Sequence, residues 1–67
     1  MSKEMEFFTF LMEQYAQYKN TTAEKILRQL DELKMTDYVF NMYEMYHSEA
    51  LENAYADIDK LIESKTK

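Results

Sequence analysis

The 67 residues include no Gly, no Pro and no Cys. Without Gly or Pro the backbone has no low-energy route into left-handed turns or tight hairpins, so paired strands are disfavoured and short helix-to-helix links are favoured. Without Cys no disulfide can staple a small core, although this fits either redox compartment. Long apolar runs are missing too. Stretches such as Phe7-Phe8 and Phe10-Leu11-Met12 are far too short to span a membrane, and Met1-Ser2-Lys3-Glu4 does not begin like a signal peptide. The chain reads as cytoplasmic.

Catalytic and cofactor motifs are equally scarce. There is one His, no Ser/His/Asp or Cys/His set and no Gly-rich phosphate loop, which argues against an enzyme and gives no reason to expect a cofactor. Basic residues thin out along the chain. Residues 1 to 34 carry six acids against five bases, whereas residues 35 to 63 carry seven acids against Lys60 alone, within a net charge of −5. Nucleic-acid binding draws its affinity from Lys and Arg on phosphates, so this balance disfavours DNA or RNA as a direct ligand. The same field attracts a basic protein surface, or simply keeps the domain soluble.

Against these absences stand six Tyr, four Phe and six Met. In helix one, about residues 3 to 19, Met5, Phe8, Met12, Tyr15 and Ala16 share one stripe, with Phe7, Leu11 and Tyr18 beside it and Phe10 further round. Asn20 suits a left-handed helix end where Gly is absent, and Thr21-Thr22-Ala23-Glu24 reads as a capping box closed by Thr21 and Glu24. Helix two, about 22 to 33, places Ala23, Ile26, Leu27, Leu30 and Leu33 at offsets of three and four. Thr36-Asp37 offers the next cap, and helix three, about 37 to 47, is apolar round most of its circumference. His47-Ser48 marks a break before helix four, about 49 to 64, whose stripe is Leu51, Ala54, Tyr55, Ile58, Leu61 and Ile62. The expected fold is all-α, one domain over residues 1 to 67, in a compact bundle of three to four short helices. Such a chain buries only about 60% of the surface it exposes when unfolded. A core of this size rarely supplies more than roughly 3–5 kcal/mol, which motivates self-association or a partner.

Four sets of residues invite a functional reading. Phe7 and Phe10 are offset from the main stripe of helix one, and Phe40 from that of helix three, so all three are candidates for apolar groups left over when the core is full. Tyr38, Tyr43, Tyr46 and Tyr55 offer a possible recognition surface, with Tyr43 and Tyr46 joining the Phe residues as candidate partner contacts, because Tyr combines a large apolar body with a polar tip and little entropy to lose. Met5, Met12, Met42 and Met45 offer a possible adaptable groove. Core packing is the competing reading for each, as gap filling is for the Met residues. Glu44 and His47 form Glu-x-x-His, a spacing found in di-iron carboxylate bundles. This chain has only one such motif, so a metal site would need a homodimer, with Glu13 or Glu52 as the missing ligand. Otherwise His47 is a helix-end residue suited to the dipole and Glu44 is a solvated acid.

Glu6-Phe7-Phe8-x-Phe10, Glu13-x-Tyr15-Ala16, Asp37-Tyr38-Val39, Tyr43-x-x-x-His47-Ser48 and Ala56-Asp57-Ile58 together resemble a family of short bacterial proteins of unknown function. The resemblance covers Met5 to Ile62. It implies an antitoxin-like role, because such proteins are often encoded beside a protein with an ADP-ribosyltransferase-like fold in a toxin–antitoxin arrangement. It transfers no catalytic residue. Where the family carries Gly or another turn residue after the His-Ser pair, this chain has Glu49-Ala50, so the break there lacks its usual turn residue. The leading expectation is an acidic interaction module that binds and masks a protein encoded nearby. A self-associating homodimer and a Glu44/His47 metal protein are the alternatives, and a DNA-binding regulator is disfavoured by the charge.

Overall fold

The computed structural model describes residues 2–66, and every regular element among them is helical: α1 (Lys3–Tyr18), α2 (Ala23–Glu32), α3 (Thr36–Asn41), α4 (Tyr43–Tyr46) and α5 (Leu51–Thr66). The fold is an all-α bundle in which α1 packs on α2, α3 and α4, while α5 closes against α4.

Helix α1 starts at Ser2, whose Oγ accepts from the Met5 N–H at 3.1 Å. It ends as a Schellman motif. Asn20 takes φ of 59°, its N–H donates to the Gln17 carbonyl, and the Thr21 N–H reaches back to Ala16 at 2.8 Å. Asn20 therefore fills the left-handed position that its side chain suits. Helix α2 ends identically, but the left-handed residue is Lys34, again at φ 59°, with its N–H on Asp31 and the Met35 N–H on Leu30 at 2.8 Å. That second closure brings Met35 over Leu30, the hydrophobic contact typical of the motif, and Met35 is buried there.

The expected capping box is corrected by one residue. Thr22, not Thr21, caps α2, its Oγ1 accepting from the Lys25 N–H at 3.3 Å. Thr21 is occupied by its bond to Ala16, and Glu24 instead accepts from Arg28 one turn on, at 3.1 Å. Thr36 is likewise not a cap. It is the first residue of α3, and its hydroxyl donates to the Asp31 carboxylate, tying the start of α3 to the end of α2.

Helix three, expected to run unbroken from 37 to 47, is two helices. At Met42 the backbone turns to φ −84°, ψ 12°, and its N–H donates to Val39 at 3.2 Å, a three-residue rather than four-residue span. Neither Asn41 nor Met42 is a helix breaker, so local propensity does not account for the turn. The expected break at His47-Ser48 is present, and α5 begins at Leu51. Ser48 serves the helix behind it rather than the one ahead, its hydroxyl lying 3.0 Å from the Met45 carbonyl and 3.3 Å from that of Glu44.

The core collects Phe8, Leu11, Met12, Tyr15 and Ala16 from α1, Ile26 and Leu30 from α2, Met35, Val39, Tyr46, and Ala54 and Ile58 from α5. Among the described residues no polar or charged residue is buried. The stripes of α1, α2 and α5 read from spacing are thus the faces that pack. Two exceptions carry information: Met5, at the start of α1, is exposed, and Tyr46, expected at a partner surface, is only 1% exposed and belongs to the core.

Candidate protein-interaction surface

Along α1 the side chains at Phe7 and Phe10 are neighbours across one turn, on the edge of the helix where the core face ends. Phe10 is 48% exposed and Phe7 is half-buried. The Phe7 ring meets Tyr43 of α4 edge to face, with centroids 5.7 Å apart, and His47 in the same manner at 6.4 Å. Tyr43 and His47 stack flat at 4.2 Å and 4°. Phe7, Tyr43 and His47 therefore form an aromatic strip from α1 to the end of α4, with edge-to-face contacts of the kind ring quadrupoles favour, and Phe10 stands exposed one turn along α1.

The remaining candidates divide differently. Phe40 is half-buried and packs edge to face on Phe8 at 5.6 Å, so it extends the core rather than the strip. Tyr46 is almost wholly buried and belongs to the core cluster together with Val39. Of the other exposed apolar residues, Tyr18 has no surface reading in the sequence, while Tyr38 and Met45, candidate recognition and groove residues, are each about half exposed. The nearly all-apolar run from Tyr38 to Tyr46 shows that some residues there must face out, but periodicity cannot choose them across a helix break it does not signal.

His47 Nδ1 lies 2.5 Å from the Tyr43 carbonyl oxygen. A carbonyl can only accept, so a hydrogen bond here places an N–H at Nδ1. Glu44 and His47 are both exposed, and among the described residues no group of three or more His, Asp or Glu is gathered as a metal site would require.

A second constellation joins α1 to α5. The Tyr15 hydroxyl donates to Asp59 Oδ1 at 2.5 Å, and Lys19 Nζ sits 3.2 Å from the same oxygen. Tyr18 stacks on Tyr55 at 4.7 Å beside it. Burial, reinforced by the hydrogen bond to Asp59 and its charge, holds the Tyr15 hydroxyl well above the ordinary 10.0. Burial, with Glu52 and Tyr18, raises Tyr55 as well. A phenol kept neutral against a carboxylate is a structural tie and not a tuned acid. The open cleft beside it, about 550 Å³, mixes Lys19 and Lys25 with Asp59 and Glu63. Among the described residues no helix is long and apolar enough to cross a membrane.

No curated protein and no solved structure matches the chain. Residues 6–65 match the family described as a protein of unknown function, DUF3791, and the chain belongs to that family.

Proposed function

We propose that this chain is a small acidic protein-interaction module, antitoxin-like, which binds and masks a partner protein, and that the partner is an ADP-ribosyltransferase-like toxin encoded nearby. The observation that carries the reading is Phe10, about half exposed although its helix already supplies five residues to a closed core. Full burial of such a side chain is worth roughly 1.5–3 kcal/mol, free energy that only a second surface can recover. Phe7 and Tyr43 extend the patch, and the acidic stretch from residue 35 to 63 adds attraction for a basic partner. Masking by binding needs no reaction from this chain, so the reading assigns it none.

Co-expression with the neighbouring gene product followed by affinity capture tests the idea. The native chain should hold that product in a stoichiometric complex, and Phe10→Glu should release it while leaving the helical circular dichroism intact. A native chain that stays monomeric and ignores its neighbour would overturn the reading. Dimers that Phe10→Glu dissociates, with no capture, would assign the same face to a second copy instead.

A further inference from the structure

Where α3 and α4 face α5, a groove of about 360 Å³ is lined by Tyr38, Tyr46, Asp57, Lys60, Leu61 and Ser64. Tyr46 contributes a side chain that is almost wholly buried, and its hydroxyl has no hydrogen-bond partner. Burial chiefly, and the negative charge of Asp57 next, push that hydroxyl up to about 12, so it keeps its proton. Asp57 lies close enough to act on it as a charge and, more weakly, as an acceptor, yet no hydrogen bond of ordinary geometry satisfies the hydroxyl. Buried unpaired hydroxyls destabilise a folded chain, and a native one calls for an explanation. Tyr38, about half exposed, lines the same groove and presents aromatic surface to it.

We propose that this groove receives the guanidinium side chain of a partner protein, stacked on Tyr38, paired with the Asp57 carboxylate and donating one N–H to the Tyr46 hydroxyl oxygen. A planar cation with several N–H donors is the one side chain that meets all three groups at once. It lies flat on an aromatic face, matches a carboxylate with a two-pronged fork, and has donors left over for the Tyr46 hydroxyl oxygen. An ammonium lacks both the plane and the fork. The surroundings favour a cation, since seven acids face Lys60 alone over residues 35 to 63. Lys60 is the opposing charge in the groove; it is exposed on a flexible stem, and it sets a penalty that an incoming guanidinium must overcome. The Tyr46 hydroxyl is covered in the free chain, so its contact forms only as the lining side chains shift on binding. The inference rests on the interaction-module reading and deepens it by naming the chemistry of one partner contact.

The test titrates the full isotope-labelled chain with N-acetyl-arginine methylamide and follows backbone amides by nuclear magnetic resonance, with the matching citrulline and lysine derivatives as controls. Saturable shifts centred on Tyr38, Asp57 and Lys60 are expected with arginine, much weaker ones with lysine and none with the neutral citrulline. Asp57→Asn should weaken the arginine response about tenfold, Lys60→Gln should strengthen it, and Tyr46→Phe should weaken it in a chain that remains folded. Equal shifts with citrulline, shifts centred elsewhere, or an unchanged response in Asp57→Asn would overturn the proposal. So would a Tyr46→Phe chain that binds as well as the native one. Because the probe is a single amino-acid derivative, its failure would leave capture of the neighbouring gene product standing, and failed capture would leave this result standing.

Discussion

The Tyr15 hydroxyl and the Asp59 carboxylate meet at 2.5 Å across 44 positions of sequence, and Lys19 shares the same carboxylate oxygen at 3.2 Å. This contact ties the C-terminal end of α1 to the middle of α5. Asp59→Asn keeps the size and an acceptor but removes the charge. Because Lys19 and Asp59 are both more than a third exposed, the ion pair adds little, and the loss should be about 1 kcal/mol, set by the weakened hydrogen bond. Urea midpoints of the native and variant chains check it. A loss as large as that of a core truncation would mean that the carboxylate does more than this.

The same tyrosine makes stability depend on alkaline pH. A phenol whose value is raised on folding binds its proton more tightly in the folded chain, so the contribution is complete below the unfolded value of 10.0 and fades as pH climbs through the folded one. Tyr46 acts the same way between 10.0 and about 12. Stability should therefore be insensitive to these groups near neutrality and fall steeply above pH 10, with tyrosinate absorbance appearing together with loss of helix. In the double variant Tyr15→Phe, Tyr46→Phe the alkaline fall should be shallower. An identical alkaline limb would remove both tyrosines from the account.

Lys34 occupies a left-handed position that its Cβ disfavours, at the same φ of 59° as Asn20. Left-handed backbone costs ordinary residues roughly 1–2 kcal/mol, and Asn less, because its side chain hydrogen-bonds locally. Lys34→Gly should stabilise the chain by about 1 kcal/mol, and Asn20→Gly by distinctly less. Thermal midpoints of the two variants measured side by side decide it, and the reverse ranking would contradict the Schellman assignment at residue 34.

Leu30 is completely buried and lies under Met35 at the second helix closure. Truncation of a buried leucine costs about 2–5 kcal/mol, comparable with the roughly 3–5 kcal/mol that a core of this size supplies. Leu30→Ala should therefore be largely unfolded at room temperature, as read by far-ultraviolet circular dichroism. Phe10→Ser, by contrast, should stay within about 0.5 kcal/mol of the native chain, because that ring already meets water.

The hydroxyl of Tyr46 is buried without a partner, so removing it should cost the free chain nothing. Tyr46→Phe is expected to be as stable as the native protein or more so at neutral pH. A loss above about 1 kcal/mol in chemical denaturation would show that the hydroxyl is hydrogen-bonded in solution.

The helical class, the packing faces of α1, α2 and α5 and the left-handed Asn20 could all be read from the sequence, because each depends on periodicity or on one residue's local preference. The second closure at Lys34 could not, since nothing marks Lys as left-handed. It is imposed by the backbone bonds that seat Met35 on Leu30. The Tyr15–Asp59 tie was hidden for a related reason, as pairing across 44 residues leaves no periodic trace. At the candidate surface, Phe7 and Phe10 were identifiable because α1 is long enough for its edges to be counted. Tyr46 was misplaced because the turn at Met42 interrupts the count on which facing depends. The stacking of Tyr43 on His47 could have been suspected from their spacing of four, which brings side chains together on a helix.

The two matching closures at Asn20 and Lys34 bear on how this molecule would meet a partner. Each junction is fixed by two backbone hydrogen bonds rather than by a pliable glycine, so α1, α2 and α3 hold set directions before any encounter. The entropy of orienting the aromatic strip is then lost when the chain folds and not when it docks. Recognition through α1 should accordingly behave as rigid-body association, and loosening either closure with an inserted flexible residue should slow and weaken capture while every contacting side chain is still present.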